Sequence, residues 1–195
     1  QFVDIGGLVE GAHSGEGLGN KFLSHIREVD GVVYVLRAFD AGVPGPSDPL
    51  EHLRVVELEL VYADFETLEK QLEKRIKQAR TDKDLAVQNE IAAVALDHLK
   101  AGTPLYRSGM SEEDREAIKD YFLLTNKPFM AVLNVADDQL DEAEALAAKV
   151  AVELPGVEIV PLCVQLEAEA AQIADKEERA EMLEMLGLGE GAMPK

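Results

Sequence analysis

The sequence predicts an α/β fold: a parallel sheet flanked by helices, with an antiparallel α-helical hairpin inserted into it. Strand-like runs alternate with helical stretches on both sides of the insertion, the pattern that builds parallel sheets. The run Val32-Val33-Tyr34-Val35-Leu36 is continuously apolar, as in a strand covered on both faces. From Pro49 to Arg80 there is no glycine and no further proline, and apolar residues return at helical spacing.

The elements follow in order. Gln1–Ile5 reads as a strand. Gly6–Gly19 holds six glycines and reads as a loop. Gly19–Val29 is helical, with Phe22, Leu23 and Ile26 on one side. Gly31–Phe39 is the second strand, and Ala41–Asp48, with two prolines and two glycines, is a loop. Leu58, Val61, Phe65, Leu68, Leu72 and Ile76 then make the stripe of a long helix. Thr81-Asp82 breaks it. A second helix runs to about Lys100, with Val87, Ile91, Val94 and Leu99 as its stripe. Two long helices joined by a tight turn form an antiparallel hairpin. Gly102–Gly109 is a loop. Ser111 with Asp114 resembles a capping box opening a short helix to about Tyr121. Pro128–Val135 is a strand, Asp138–Leu154 a helix and Val157–Cys163 a strand. Helices at about Gln165–Ala174 and Lys176–Leu186 finish the chain.

Composition narrows the function. Apolar residues make up 47% of 195, enough for a core. The 19 basic and 38 acidic residues give a net charge of −19. That opposes a nucleic-acid-coating role, DNA sequence reading and lipid-surface binding. Cys163 is the only cysteine, so an intrachain disulfide and a Cys-rich zinc site are excluded, and a reducing, cytoplasmic setting is expected. No apolar run approaches the ~20 residues that span a bilayer, so no membrane partner is expected. The chain opens on Gln1 and goes directly into a strand, which points to preceding sequence lying outside it.

In open α/β sheets ligands bind at the carboxyl ends of strands. Asp4-x-x-Gly7 follows the first strand. An aspartate there can hold Mg²⁺, and a glycine three residues on lets a backbone N–H approach a terminal phosphate. Taken alone, the motif also fits an ordinary strand-end turn. Asn134-x-x-Asp137 follows a later strand and has the form of a base-reading loop. The asparagine braces the loop, and the carboxylate can accept from a base edge. Asp137 can equally cap the next helix. The two motifs in this order are stronger than either. Gly15-Glu16-Gly17-Leu18-Gly19-Asn20-Lys21 fits neither GxxxxGK[ST] nor GxGxxG, and no Walker A motif occurs in the chain. A switch loop is the better reading of that segment.

Phe2-Val3-Asp4-Ile5-Gly6-Gly7-Leu8-Val9, Gly15-Glu16-Gly17-Leu18-Gly19-Asn20-Lys21-Phe22-Leu23 and Ile26-Arg27-Glu28-Val29-Asp30 resemble the YchF/Obg-like ATPase family. So do Asp48-Pro49-Leu50, Phe122-Leu123-Leu124-Thr125-Asn126-Lys127-Pro128 and Val160-Pro161-Leu162-Cys163. The resemblance covers nearly the whole chain. It implies a P-loop NTPase domain interrupted by a helical coiled coil and followed by a TGS domain. This chain would be a fragment lacking the P-loop segment, the first switch and the TGS domain. Residues 1–48 would be the second part of the nucleotide domain, 49–121 the coiled-coil insertion, and 122–195 the base-recognition part.

The resemblance further implies that Asp4 serves Mg²⁺ and Gly7 the γ-phosphate of ATP or GTP. Leu8 stands where ordinary GTPases place a water-positioning Gln, and an aliphatic side chain cannot orient water. His13, in the same loop, is a candidate to swing in, or is a solvated loop residue. Val135 would meet the base through its backbone, and Cys163 would contribute backbone contact after the last strand. The fourth position of Asn134-x-x-Asp137 is Glu in the family, so Asp137 moves toward the guanine-reading NKxD pattern. Cys163 followed by Val164 departs from the usual Cys-Ala. As a side chain, Cys163 is a small strand-end residue before it is a redox sensor.

The hairpin tip has its own charge. Lys70, Lys74, Arg75, Lys77, Arg80 and Lys83 face only Glu73 and Asp82 within 14 residues, a local +4. Such a cluster is either a solvated face or the footprint of RNA or ribosome contact. Residues 135–195 carry 15 acidic and four basic residues. The expected function is Mg²⁺-dependent binding and hydrolysis of ATP or GTP by a translation-associated regulatory NTPase, the 195 residues alone being inactive. The alternative is a nucleotide-switched RNA- or ribosome-binding module with negligible intrinsic hydrolysis.

Overall fold

A computed structural model describes residues 18–40, 48–78, 83–186 and 191. Its helices are α1 (Leu18–Glu28), α2 (Pro49–Gln78), α3 (Lys83–Lys100), α4 (Glu112–Ala117), α5 (Ala143–Glu153), α6 (Val164–Ala171) and α7 (Lys176–Met185). Its strands are β1 (Val32–Arg37), β2 (Phe129–Asn134) and β3 (Glu158–Leu162), in the order β1-β2-β3. Val32 N donates to Pro128 O and Ala38 N to Asn134 O. Both pairs advance together along the chain, so β1 and β2 run parallel. The strand expected at Gln1–Ile5 lies outside the described residues.

The described residues fall into two compact units. One holds the residues up to Val33 with Glu51–Met130; the other holds those of Tyr34–Leu50 and from Ala131 onward. In the first unit, α2 and α3 contribute to one buried cluster. Val61, Leu68 and Leu72 of α2 join Ala92, Ala95 and Leu99 of α3, with Leu105, Ile118, Tyr121 and Leu123 from the segment that follows. Asp48 caps the start of α2, its Oδ1 accepting from Leu50 N at 2.9 Å, with Pro49 as the first helical residue. Gly102 ends α3 at φ 76°. Its N–H reaches Leu99 O and that of Thr103 reaches His98 O, the paired bonds of a Schellman motif that a left-handed glycine closes without strain.

The hydrophobic stripes are corrected in two places. Leu58 of α2 is exposed, as are Val87 and Val94 of α3. The inner face of α3 instead runs through Asn89, Ala92, Ala95 and Leu99. Alanine lets neighbouring segments approach closely, so small residues mark that face better than β-branched ones. A second correction concerns β1. Its burial alternates, with Val33 39% and Val35 62% exposed, so among the described residues it is covered on one face only. The helix expected over Asp138–Leu154 begins as a 3-10 segment, Asp137–Glu142, before α5.

In the second unit Leu36, Ala131, Leu133 and Val135 are buried with Ala147 and Val150 of α5 and Ala170 of α6. This packing fixes the strand ends at which the candidate base-reading residues stand.

Candidate functional site

Asn134 is the last residue of β2, and both of its polar ends are engaged. Its carbonyl accepts from Ala38 N at 2.9 Å, just past β1. Its Oδ1 accepts from Val164 N at 3.1 Å, just past β3. The residue at the central strand's tip therefore ties together the segments that leave all three strands, its carbonyl holding the one after β1 and its side chain the one after β3. Val135 is buried, and its N–H donates to Leu162 O at 3.0 Å. A base meeting the Val135 backbone would find its carbonyl, because the N–H is already used.

Asp137 opens the 3-10 segment and is exposed. Its Oδ1 accepts from Asp138 N at 2.9 Å, a local capping contact. The carboxylate stays at the surface, where it can accept further donors. Gln139, which the sequence reading passed over, braces this loop. Its Oε1 accepts from Ala136 N at 2.9 Å and its Nε2 donates to Ala38 O at 3.2 Å. Gln three residues after a turn start is the reciprocal half of a capping box, a signal available in the sequence. Cys163 has a buried, free thiol, and its carbonyl accepts from Glu167 N to start α6.

Asp4, Gly7, Leu8 and His13 lie outside the described residues. Among the described residues, no group of three or more His, Cys, Asp or Glu side chains is placed to hold a metal ion. No described helix is long and apolar enough to cross a membrane.

The basic cluster is heterogeneous. Lys70 is exposed and pairs with Glu66 at 3.4 Å; Lys74 is exposed. The Arg75 guanidinium lies 4.2 Å from the Tyr121 ring centroid and is half-buried, so Arg75 also packs. Gln71 Nε2 donates to Tyr121 O at 3.1 Å, and the Tyr121 hydroxyl donates to Asn89 Oδ1 at 2.8 Å. This part of α2 is thus held against a neighbouring segment rather than projecting alone. Arg80 and the side chains of Lys77 and Lys83 lie outside the described residues.

Two buried carboxylates on α2 were not singled out from sequence. Asp64 is fully buried. It accepts from Leu124 N and Thr125 N, each at 2.7 Å, and from the Thr125 hydroxyl at 2.8 Å. Burial pushes its carboxyl up from 3.8 to about 6, against the opposing pull of those donors and of Arg27. Thr125 Oγ1 also accepts from Leu105 N at 3.2 Å. Glu57 takes Arg107 at 2.5 Å and the Tyr106 hydroxyl; burial raises its carboxyl too, offset by Arg107 and Arg54. The signal for both was a charged residue on the inner helix face, since 57 and 64 share the stripe of Val61 and Leu68.

α1 is tied to the same framework. Arg27 donates to Thr67 Oγ1 at 3.2 Å. Lys127 Nζ donates to Arg27 O at 3.2 Å and Val29 O at 2.5 Å, a cation on the final carbonyls of a helix. Lys127 and Thr125 both belong to Phe122–Pro128, so that motif clamps α1 and α2 to the entry of β2.

The fold has counterparts in known proteins. The Schizosaccharomyces pombe YchF GTPase structure matches with a TM-score of 0.73 at 29% identity, over 93% of this chain and 52% of that one. The ribosome-binding ATPase YchF of Bacillus subtilis is 37% identical over 202 residues, 99% of this chain and 55% of the relative. This chain is homologous to the YchF/Obg-like ATPase family over most of its length. The YchF of Haemophilus influenzae is 37% identical over 201 residues, 97% of this chain and 54% of that protein. Obg-like ATPase 1 of Oryza sativa subsp. indica is 38% identical over 141 residues, 69% of this chain and 36% of the relative. The chain thus spans about half the length of the YchF relatives it matches. No family model matches. Among these YchF/Obg-like relatives the printed names differ, ATPase for some and GTPase for another.

Proposed function

We propose that the protein containing this chain binds and hydrolyses ATP or GTP with Mg²⁺, in the cytoplasm and in association with the ribosome. The observation that supports this most directly is Asn134, whose side chain braces the strand-end rim through Val164 while exposed Asp137 stands three residues on. Homology to proteins named ribosome-binding ATPases supports the partner and the nucleotide class.

In this reading Asp4 would hold Mg²⁺, which would supply neutralisation of the charge developing on the phosphates, and Gly7 would offer its N–H to the γ-phosphate. Asn134, the Val135 carbonyl, Asp137 and the Cys163 backbone line the base side. Leu8 cannot orient water, which leaves His13 or a partner to do so. Lys70 and Lys74, with Lys77, Arg80 and Lys83, would supply the contact with RNA; Arg75 would join them only in part. The chain itself lacks GxxxxGK[ST] and should bind nucleotide weakly. Titration of labelled ATP and GTP tests this: micromolar affinity of the 195 residues for either overturns it. For the protein containing the chain, the test is Mg²⁺-dependent release of phosphate, abolished by Asp4→Ala.

A second reading is favoured by the α1 contacts. Arg27 with Thr67 and Lys127 with the α1 carbonyls connect the helix that follows the glycine-rich loop to α2. Such a connection suits a nucleotide-switched binding module whose hydrolysis is negligible without a partner. Turnover with and without ribosomes separates the two. Fast hydrolysis without ribosomes, unaffected by changes on α2, counts against the module.

A further inference from the structure

We propose that Gln139 is a positioning residue for base recognition, acting through Asp137. This role rests on the nucleotide reading above and names what fixes its base side. Ala136 precedes the 3-10 segment Asp137–Glu142, where a side-chain oxygen usually caps the first turn. Alanine has none. Gln139 supplies a bond from the other direction, its Oε1 accepting from Ala136 N at 2.9 Å. The Gln139 N–H also donates to Ala136 O at 3.1 Å, so both polar groups of Ala136 end on one residue. The far end of the Gln139 amide leaves the loop. Its Nε2 donates to Ala38 O at 3.2 Å, 101 positions away in the chain. Ala38 N in turn donates to Asn134 O at 2.9 Å.

Asn134, Ala38, Gln139 and Ala136 thus close a ring of hydrogen bonds, and Asp137 sits on that ring between Ala136 and Gln139. Among the described residues the Asp137 carboxylate is held by the adjacent Asp138 N–H at 2.9 Å. A contact with the next residue moves with the turn that carries it and cannot fix the turn against the sheet. That task falls to Gln139, which is half-buried while Asp137 is exposed. The chemistry required is narrow: one acceptor for Ala136 N and one donor for Ala38 O on the same side-chain end. An ionised Glu has no donor, Lys has no acceptor, and Asn is one methylene shorter. A carboxylate that reads a base edge must be held to about 0.5 Å, so losing this brace should weaken base recognition without touching the phosphate side.

The test is calorimetric titration of the protein that contains this chain with ATP, GTP and tripolyphosphate, each with Mg²⁺. Asp137→Ala should weaken the better-bound nucleotide about tenfold, the worth of one hydrogen bond to a charged group. Gln139→Ala should weaken it about fivefold and leave tripolyphosphate within twofold. Combined with Asp137→Ala, Gln139→Ala should add almost nothing, because a residue that acts through Asp137 has no further effect once Asp137 is gone. Gln139→Glu keeps the acceptor for Ala136 N and loses the donor to Ala38 O, so it should also weaken the nucleotide, and it serves should the alanine variant fold poorly. Unchanged nucleotide affinity in both Gln139 variants overturns the role of Gln139 alone. So does an equal loss for tripolyphosphate, or a loss that adds in full to that of Asp137→Ala. Tight nucleotide binding that ignores Asp137→Ala overturns base reading by Asp137 and the role of Gln139 with it. A wild-type protein that binds neither nucleotide overturns the nucleotide reading itself.

Discussion

Asp64 offers a test whose sign is not obvious. Its carboxyl accepts three hydrogen bonds, which suggests that replacing it should always be harmful. Burial nevertheless raises its folded-state pKa from 3.8 to about 6. A raised carboxyl contributes most to stability below its unfolded value, and that contribution is lost as pH rises through the folded one. The interval from 3.8 to about 6 corresponds to about 3 kcal/mol at 1.36 kcal/mol per unit. Roughly half of that loss falls between pH 5 and pH 7, above the pI of about 4.5.

Asp64→Asn is the informative change. The protonated acid can still accept from Leu124 N and Thr125 N while donating to the Thr125 hydroxyl. The amide nitrogen of Asn has no lone pair for Thr125 N–H, so one buried donor is orphaned at a cost of roughly 2 kcal/mol. Against protonated Asp64 the variant is therefore less stable. Against ionised Asp64 it avoids burying a charge. The expected variant is close to wild type at pH 5 and more stable by about 1 kcal/mol at pH 7, combining the orphaned donor with the linkage loss. The assay is urea unfolding followed by far-UV circular dichroism, since the chain has no tryptophan. Using the difference between variant and wild type removes the titration shared with the other acidic residues. A difference constant from pH 5 to pH 7 would falsify the idea that Asp64 titrates there. A variant that grows less stable with pH would show that the three donors outweigh burial.

Three further outcomes follow from the rim and the hairpin. In the protein that contains this chain, Asp137→Glu should shift relative affinity from GTP toward ATP, read by competition between the two nucleotides; an unchanged ratio shows that Asp137 does not read the base. Asn134→Ala removes the acceptor for Val164 N–H, so amide exchange at Val164 should accelerate and nucleotide affinity should fall by about tenfold, the value of a hydrogen bond worth roughly 1.4 kcal/mol. Arg75→Gln should lower both ribosome affinity and stability, the latter by about 0.5–1 kcal/mol for the lost contact with Tyr121, whereas Lys74→Gln should lower ribosome affinity alone; equal stability of the two variants removes the packing role of Arg75.

What the sequence disclosed, and what it hid, divide by the range of the interaction. Element order was legible because period and turn chemistry are local. Asn134 and Asp137 could be placed at a strand end for the same reason. Asn134's partner could not, because Val164 N is 30 residues away and comes near only once β2 and β3 pair. The α3 stripe was misread because β-branched residues announce themselves, while alanines bury well without raising the pattern. Arg75 was counted as a free cation because nothing local indicates that Tyr121, 46 positions on, will lie beneath it. Asp64 was overlooked because a carboxylate on an apolar stripe reads as noise until its donors are known.

That last case bears on how the two halves of the motif set are linked. Phe122–Pro128 carries no catalytic group, yet three of its residues perform distinct tasks. Thr125 receives the buried carboxylate of α2. Lys127 holds the final carbonyls of α1. Phe122 takes on backbone strain that turns an aromatic ring outward. Two residues after Lys127 the chain enters β2, which ends on Asn134. A segment of seven residues thus joins α1, α2 and the start of β2. Because Asp64 gives that junction a carboxyl poised near pH 6, loosening it by Asp64→Ala should uncouple α1 from α2 before it disturbs the Asn134 rim. Hydrogen exchange resolves the order: protection should fall first at Leu124 and Thr125, whose N–H groups lose their acceptor, and last at Val135 and Val164, whose bonds lie in the rim itself.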